Sequence, residues 1–253
     1  MANRLLSAIE KNKYVLGPFM KLDSATVVEI AGLAGFDFVI LDTEHGPLDI
    51  SEVENLIRAA HLHDMCAIVR VGENDPLMIG RALDIGADGV QIPQISNKDD
   101  ACKAVAAAKF YPRGERGVCR YVRAAEFTRI QKQDYFLRAN ENSSVIVHIE
   151  GVEGLKNFED ILDVGEIDVL FIGPYDLSQS LGIPGQTEHP RLLKEIESLI
   201  KRAAVKNKAV GIFSESPEGA KRYINLGVQY ISYAVDVGMI YDKFKFVVDS
   251  VKN

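Results

Sequence analysis

Cysteine is scarce in this chain, three among 253 residues, and the three do not group. Cys66, Cys102 and Cys119 are odd in number and lack metal-ligand spacing, so neither a disulfide framework nor a thiolate metal centre is expected. Cys66 opens an apolar run and reads as a small core residue. Long apolar runs are missing too. No stretch approaches the ~20 residues that span a bilayer. The first residues, Met1 to Lys11, read as an amphipathic helix start rather than a secretion signal. An excess of positive charge is also absent, with a net charge of −7 and an isoelectric point near 5.3. Neither nucleic acid nor an anionic membrane is therefore an expected partner, whereas anionic substrates stay open if the site itself holds a cation. A cytoplasmic protein acting on small molecules is the expectation.

What the chain does have is a regular alternation. Short apolar runs at Val15–Met20, Phe38–Leu41, Cys66–Val71, Gly89–Ile92, Ser144–Ile149, Val169–Ile172, Ala209–Phe213 and Tyr230–Ala234 are separated mostly by helical spacing. Helix starts are marked by Ser24 as an N-cap, by Ser51-Glu52-Val53-Glu54 as a capping box, and by Pro76 at a first helical position. Ala34-Gly35-Phe36-Asp37, Ile85-Gly86-Ala87-Asp88, Val164 to Asp168, and Leu226-Gly227-Val228-Gln229 form a weak repeat. Each closes a helix and opens an even-numbered strand, with its glycine suited to a left-handed C-cap. The arginine-rich stretch from Tyr111 to Asn142 shows no clear strand. Strict alternation predicts a parallel sheet with right-handed crossovers. Eight units in this length favour a closed (β/α)8 TIM barrel over an open doubly wound sheet, as one domain covering residues 1–253.

In such a barrel the residues after each strand share one rim. Those positions hold His45, Arg70, Glu150 and Asp176. Glu150 and Asp176 follow adjacent strands, and two neighbouring carboxylates stay ionised cheaply only around a cation. An all-oxygen pair suits a hard octahedral ion such as Mg²⁺ or Mn²⁺ with open positions for water or substrate. Arg70 suits bidentate binding of a substrate carboxylate, and a metal beside such a clamp is what a 2-oxo acid requires. His45 is the candidate proton mover, since imidazole is the side-chain type suited to general acid–base work.

These residues lie in motifs that resemble those of the HpcH/HpaI class II, metal-dependent pyruvate aldolases. The motifs are Phe38–Pro47 (FVILDTEHGP), Ile68–Pro76 (IVRVGENDP), Leu83–Pro93 (LDIGADGVQIP), Tyr111–Gly117 (YPRGERG), Ile149-Glu150 and Phe171–Leu177 (FIGPYDL). The resemblance extends from about Leu16 to Val247. It implies a barrel of the phosphoenolpyruvate/pyruvate-binding type that cleaves a 4-hydroxy-2-oxo acid to pyruvate, or a related 2-oxo acid, and an aldehyde. It further implies Glu150 and Asp176 as ligands of Mg²⁺, Mn²⁺ or Co²⁺, Arg70 as the contact to the 2-oxo acid, and His45 as the base. Asp84 matches the family aspartate that orients that histidine, supplied within the chain or across a subunit interface. Gly173, Pro174 and Phe19 would border the substrate. A homo-oligomer is implied, a hexamer built as a trimer of dimers with an exchanged C-terminal helix.

The chain also departs from the family pattern. His148 stands where relatives carry glutamine and points to the same face as Glu150. It is read as a substrate contact, a residue supporting the metal site or shifting its preference toward softer ions, or an interior polar residue holding a water. Phe19-Met20-Lys21 replaces a Trp-Leu-Gly-type stretch, so one pocket wall differs. Lys21 raises Schiff-base chemistry as a rival, in which the carboxylate pair would have no use. Arg113, Arg116, Arg120 and Arg123 could bind a second substrate carboxylate or make interface ion pairs. Other reactions through the same enolate, oxaloacetate decarboxylation or a synthase condensation, are the nearer functional alternative. A non-catalytic barrel that binds 2-oxo acids is the more distant one.

Overall fold

A computed structural model describes residues 3–252. The elements in chain order begin α1 (Arg4–Asn12), β1 (Val15–Met20), α2 (Ala25–Leu33), β2 (Phe38–Asp42), α3 (Ile50–Leu62), β3 (Cys66–Arg70), α4 (Pro76–Asp84), β4 (Gly89–Ile92) and α5 (Lys98–Ala108). A 3-10 turn (Arg123–Thr128) and α6 (Lys132–Asn142) occupy the arginine-rich stretch. Then come β5 (Ser144–Ile149), α7 (Val152–Lys156), α8 (Phe158–Leu162), β6 (Val169–Ile172), α9 (Pro174–Ser180), α10 (Pro190–Val205), β7 (Ala209–Ser214), α11 (Pro217–Asn225), β8 (Tyr230–Val235) and α12 (Asp236–Lys252). The eight strands pair in parallel, each with its sequence neighbour, and β1 closes on β8, so the expected barrel is the observed one. Strand ends fall within one residue of the apolar runs. One helix start differs, because the capping box of α3 is Asp49 with Glu52, two residues before the expected Ser51.

Side-chain alternation divides the core in two. One set of strand residues faces the helices, where Leu41, Val69, Val90 and Val147 pack on Leu56, Ile79, Ala104 and their neighbours. The other set fills the barrel interior with Phe38, Ile40, Ile68, Ile146, Phe171 and Tyr230, plugged from below by Leu5 of α1. Phe38 and Tyr230 stack at 4.2 Å, and glycines make the room for them. A Cβ on Gly17 would sit 2.2 Å from the Phe38 carbonyl oxygen, and one on Gly211 would sit 2.7 Å from the Tyr230 ring. Cys66 lies in this interior as expected, and burial pushes its thiol up to about 12.

The repeat has a use that its glycines alone did not reveal. The Leu16 N–H donates to Asp37 Oδ2 (2.8 Å), Ala67 N–H to Asp88 Oδ2 (2.9 Å), Val145 N–H to Asp168 Oδ2 (2.8 Å), and Val210 N–H to Gln229 Oε1 (3.0 Å). In return, the backbone N–H of each of these four residues donates to the carbonyl of that same partner. Each odd strand is thus latched at its start to the residue that leads into the next even strand. Gly35, Gly86 and Gly227 are left-handed as expected. In the third copy an extra residue moves the left-handed position from Gly165 to Glu166 (φ 63°).

The barrel is closed at the other rim by Asp236. Its carboxylate accepts the N–H groups of Lys21 and Leu22 at 3.0–3.1 Å, which ties the end of β1 to the end of β8. Beyond Asp236, α12 leaves Tyr241, Phe244, Phe246 and Val251 more than 60 % exposed. None of the described helices is long and apolar enough to cross a membrane.

Candidate active site

Four strand ends deliver polar groups to the carboxyl rim. His45 lies on the loop after β2, Arg70 ends β3, Glu150 follows β5, and Asp176 sits in the first turn of α9 after β6. A cavity of about 380 Å³ is lined by all four, together with Phe19, His148, Gly173 and Pro174. Every site residue named from the sequence therefore meets at this cavity except Asp84. A second cavity of about 350 Å³ shares His45, Glu150 and Asp176 and adds Glu44 and Gln94.

Arg70 is held from behind. Its Nε and Nη2 donate to the two oxygens of the fully buried Asp42 at 2.8 and 2.7 Å, and Nη1 lies 2.9 Å from Glu44 Oε2. The guanidinium lies 4.6 Å over the Phe19 ring. A guanidinium has five N–H groups, so two remain for a ligand in the cavity. Burial raises the Asp42 carboxyl, but the bond and charge of Arg70, with the N–H groups of Glu44 and His45, outweigh it and hold the group below its ordinary value. Those N–H groups donate to Asp42 Oδ1 at 3.1 and 3.3 Å, and Lys21 Nζ donates to the His45 carbonyl at 2.7 Å. The His45 loop is thus fixed through its backbone while its imidazole stays 59 % exposed. Lys21, the rival Schiff-base residue, is engaged as a loop tether.

Glu150 is oriented just as firmly. Its Oε1 accepts the Gln94 N–H at 2.6 Å, and its Oε2 lies 2.9 Å from His148 Nδ1. His148 Nε2 is 2.7 Å from the Gln91 amide nitrogen, which can only donate. The network therefore assigns the imidazole proton to Nδ1, pointing at Glu150. Gln91 Oε1 in turn accepts the Tyr230 hydroxyl at 3.1 Å, and the His148 ring stacks on Phe171 at 4.6 Å. Burial pushes the Glu150 carboxyl up, but His148, the Gln94 N–H and Arg70 together bring it below its ordinary value. A Cβ on Gly173 would stand 2.9 Å from Glu150 Oε2, so only glycine leaves the carboxylate this position. Asp176 accepts no side-chain or backbone hydrogen bond from the described residues.

Asp84 is elsewhere. It ends α4, and a helix of this barrel ends beside the strand starts, at the rim opposite His45. There its carboxylate takes a 2.5 Å bond from Arg116, and none of the described residues links it to His45. Orientation of His45 by Asp84 within one chain is therefore ruled out by topology. Two of the other loop arginines are also occupied away from the cavity. Arg113 faces Glu166 at 3.4 Å, and Arg120 donates to the carbonyls of Thr128 and Ile130.

The profile of the HpcH/HpaI aldolase/citrate lyase family matches residues 15–242. The chain belongs to this family. It is 35% identical to a 4-hydroxy-2-oxo-heptane-1,7-dioate aldolase of Escherichia coli (strain ATCC 8739) over 241 residues, 95% of this chain and 91% of that protein. A crystal structure of an HpcH/HpaI aldolase/citrate lyase family protein from Burkholderia cenocepacia J2315 superposes with a TM-score of 0.93 at 31% identity, covering 99% of this chain and 100% of that one. The citrate synthase SbnG superposes with a TM-score of 0.89 at 29% identity, over 99% and 98% of the two chains. Like its HpcH/HpaI relatives, the protein is an aldolase, a carbon–carbon lyase on a TIM barrel.

Several residues around this HpcH/HpaI site carry no signal in the sequence. Gln91 stands behind His148 from 57 positions away, and Tyr230 stands behind Gln91 from 139 positions away. Glu44 reads as a rim residue supporting the His45 loop, and its bond to Arg70 comes only with the structure. Tyr175 and Glu215 also line the cavity, and only the polar residue directly after β7 could have drawn attention to Glu215.

Proposed function

We propose that this aldolase cleaves a 4-hydroxy-2-oxo acid to pyruvate, or a related 2-oxo acid, and an aldehyde. The ends of β2, β3, β5 and β6 meeting at one cavity carry this reading. The donor chemistry fits a divalent ion on Glu150 and Asp176. No cluster of three or more His, Cys, Asp or Glu capable of holding a metal occurs among the described residues. Two carboxylates with the remaining positions left to water and substrate suit Mg²⁺, Mn²⁺ or Co²⁺ rather than a closed structural zinc site. When bound, such an ion acts as a Lewis acid on the keto oxygen.

The protein's own residues supply the rest. Arg70 offers its two free N–H groups to the substrate carboxylate, held in place by Asp42 and Glu44. His45 removes the proton of the C4 hydroxyl, the C3–C4 bond breaks with its electron pair passing to the pyruvate fragment, and C4–O becomes the aldehyde carbonyl. The enolate of pyruvate then takes a proton at C3. Asp84 serves the His45 of a second copy, and the apolar face of α12 is the arm that exchanges between copies in a homo-oligomer, as in a hexameric trimer of dimers. A cytoplasmic location accords with three free cysteines.

The decisive assay follows pyruvate and aldehyde release from 4-hydroxy-2-oxo acids after EDTA treatment and re-addition of single metals. Full activity in EDTA would remove the metal from the proposal. Faster CO₂ release from oxaloacetate than aldehyde release from any 4-hydroxy-2-oxo acid would favour the decarboxylase alternative. Light scattering of the full chain and of a chain lacking α12 tests the assembly, with loss of the oligomer expected on truncation.

A further inference from the structure

The cavity has a second half that the proposed chemistry leaves unused. Arg70 and Glu150 lie over β3 and β5, whereas Phe213, Glu215 and Val235 lie over β7 and β8, across the barrel mouth. On that far side the Tyr175 hydroxyl donates to Glu215 Oε2 at 2.5 Å, joining the first turn of α9 to the loop after β7. Both residues also border an outer recess of about 200 Å³, with Thr187, Ser214 and Ser216 on its walls. The pair therefore stands between the reaction cavity and an annex large enough for a few further heavy atoms.

The charge balance of this half is distinctive. No lysine or arginine lines the annex. Glu188, its other carboxylate, is matched by Arg222 at 2.7 and 2.9 Å, while Glu215 has no ion-pair partner among the described residues. Of the two cations of the main cavity, Arg70 is paired with Asp42 and Glu44 and keeps its two free N–H groups for the 2-oxo acid, while Lys21 is bound to the His45 carbonyl. Tyr175, its proton turned toward Glu215, presents hydroxyl lone pairs to the cavity. The far half is thus rich in acceptors and carries an uncompensated negative charge. It complements hydroxyl donors and repels a carboxylate.

We propose that Tyr175 and Glu215 set the specificity for the aldehyde, selecting short uncharged aldehydes that bear hydroxyl groups and rejecting those that end in a carboxylate. This rests on the aldolase reading above, because the 2-oxo acid must occupy the Arg70 side for the aldehyde to fall against Tyr175 and Glu215. The Escherichia coli relative is named for a dicarboxylic substrate, whose aldehyde half carries the second carboxylate. The two proteins then share chemistry and differ in the second substrate.

The test is the addition of pyruvate to glycolaldehyde and glyceraldehyde against succinic semialdehyde and glyoxylate, using the assembled protein with Mn²⁺. The readout is the ratio of kcat/KM values, which does not depend on the fraction of a variant that folds. The wild type is expected to favour the hydroxyaldehydes by about tenfold or more, and Glu215→Gln and Tyr175→Phe to shift the ratio toward the carboxylates by a similar factor. Equal or better use of the carboxylates by the wild type overturns the assignment, as does an unchanged ratio in both variants. Exchange of the pyruvate C3 protons in D₂O, which needs no aldehyde, separates the two levels. Exchange with the wrong aldehyde preference sinks only the specificity, whereas absent exchange and absent addition sink the aldolase reading with it.

Discussion

At the amino rim of the barrel, Asp37, Asp88 and Asp168 each turn a carboxylate oxygen onto a backbone N–H of the neighbouring strand. At the carboxyl rim, Asp176 turns its carboxylate to an open cavity, and Glu150 is braced by one N–H and one imidazole while still facing that cavity. The same kind of side chain at strand ends of one barrel is consumed by the backbone on one side and kept available on the other. A carboxylate near a strand end is thus informative about function only once its hydrogen-bond partners are known. Asp42 belongs to neither group. It is more deeply buried than the latches but serves Arg70, so stability and activity meet in it.

The contrast can be broken most sharply at His45. His45→Ala is expected to slow retro-aldol cleavage by about 10²- to 10⁴-fold with the melting temperature unchanged, since the imidazole packs on little. An unaltered rate would remove His45 from the mechanism. Next comes Asp42→Ala, which strands Arg70 in the interior. A loss of about 3 kcal/mol in urea unfolding is expected together with loss of activity, and a stable variant would mean that the pair is not a structural one. Gly173→Ala would press on Glu150 Oε2 and is expected to weaken the activating metal's affinity by about 10- to 100-fold, read from metal titrations of activity. On the other rim, Asp88→Ala should cost about 1–3 kcal/mol while kcat/KM stays within about twofold, because it frees a buried N–H far from the cavity. A larger loss of rate than of stability there would erase the distinction between the rims.

The smallest effect expected is one of pH, and its sign differs between the rims. Asp42 has a folded pKa below its ordinary 3.8, so its contribution is complete above that value and is lost as pH falls through the folded pKa. Asp168 is the reverse. Burial, only partly offset by the Val145 N–H and Lys109, raises its pKa above 3.8, so the folded state holds the proton more tightly. Its contribution falls as pH rises from 3.8 through the folded value. Asp168→Asn keeps an acceptor and removes the charge. It should therefore flatten that part of the stability curve without lowering stability at pH 7, as urea unfolding between pH 3 and 7 would measure.

Much of the barrel was legible because its signals are local. Each strand is an apolar run of a few residues, and each even strand is announced by a glycine and an acceptor side chain a few positions earlier. His45, Arg70, Glu150 and Asp176 stood out for the same reason, as polar residues at the ends of apolar strands. What stayed hidden depends on folding in space. The Gln91 amide meets His148 across 57 positions, and Tyr175 meets Glu215 across 40. The two-residue error at Asp49 arose because serine and aspartate are both good caps and only the geometry decides between them. Asp84 cannot reach the His45 of its own chain for a stronger reason. A helix end and a strand end at opposite rims of one barrel cannot touch, whatever their sequence spacing.

The four latches bear on how such a barrel comes together. They join residues 21, 21, 23 and 19 positions apart, whereas the Asp236 closure spans 215. By polymer closure statistics the long span costs roughly 2 kcal/mol more chain entropy than a short one. Each odd–even strand pair can therefore form its own fastened quarter before the ring shuts, leaving the meeting of β1 with β8 as the late event. Chain breaks placed between quarters, such as in α3, would leave every latch within one fragment. Breaks inside a quarter, such as in α2, would sever one, and fragments cut that way should reassemble more poorly.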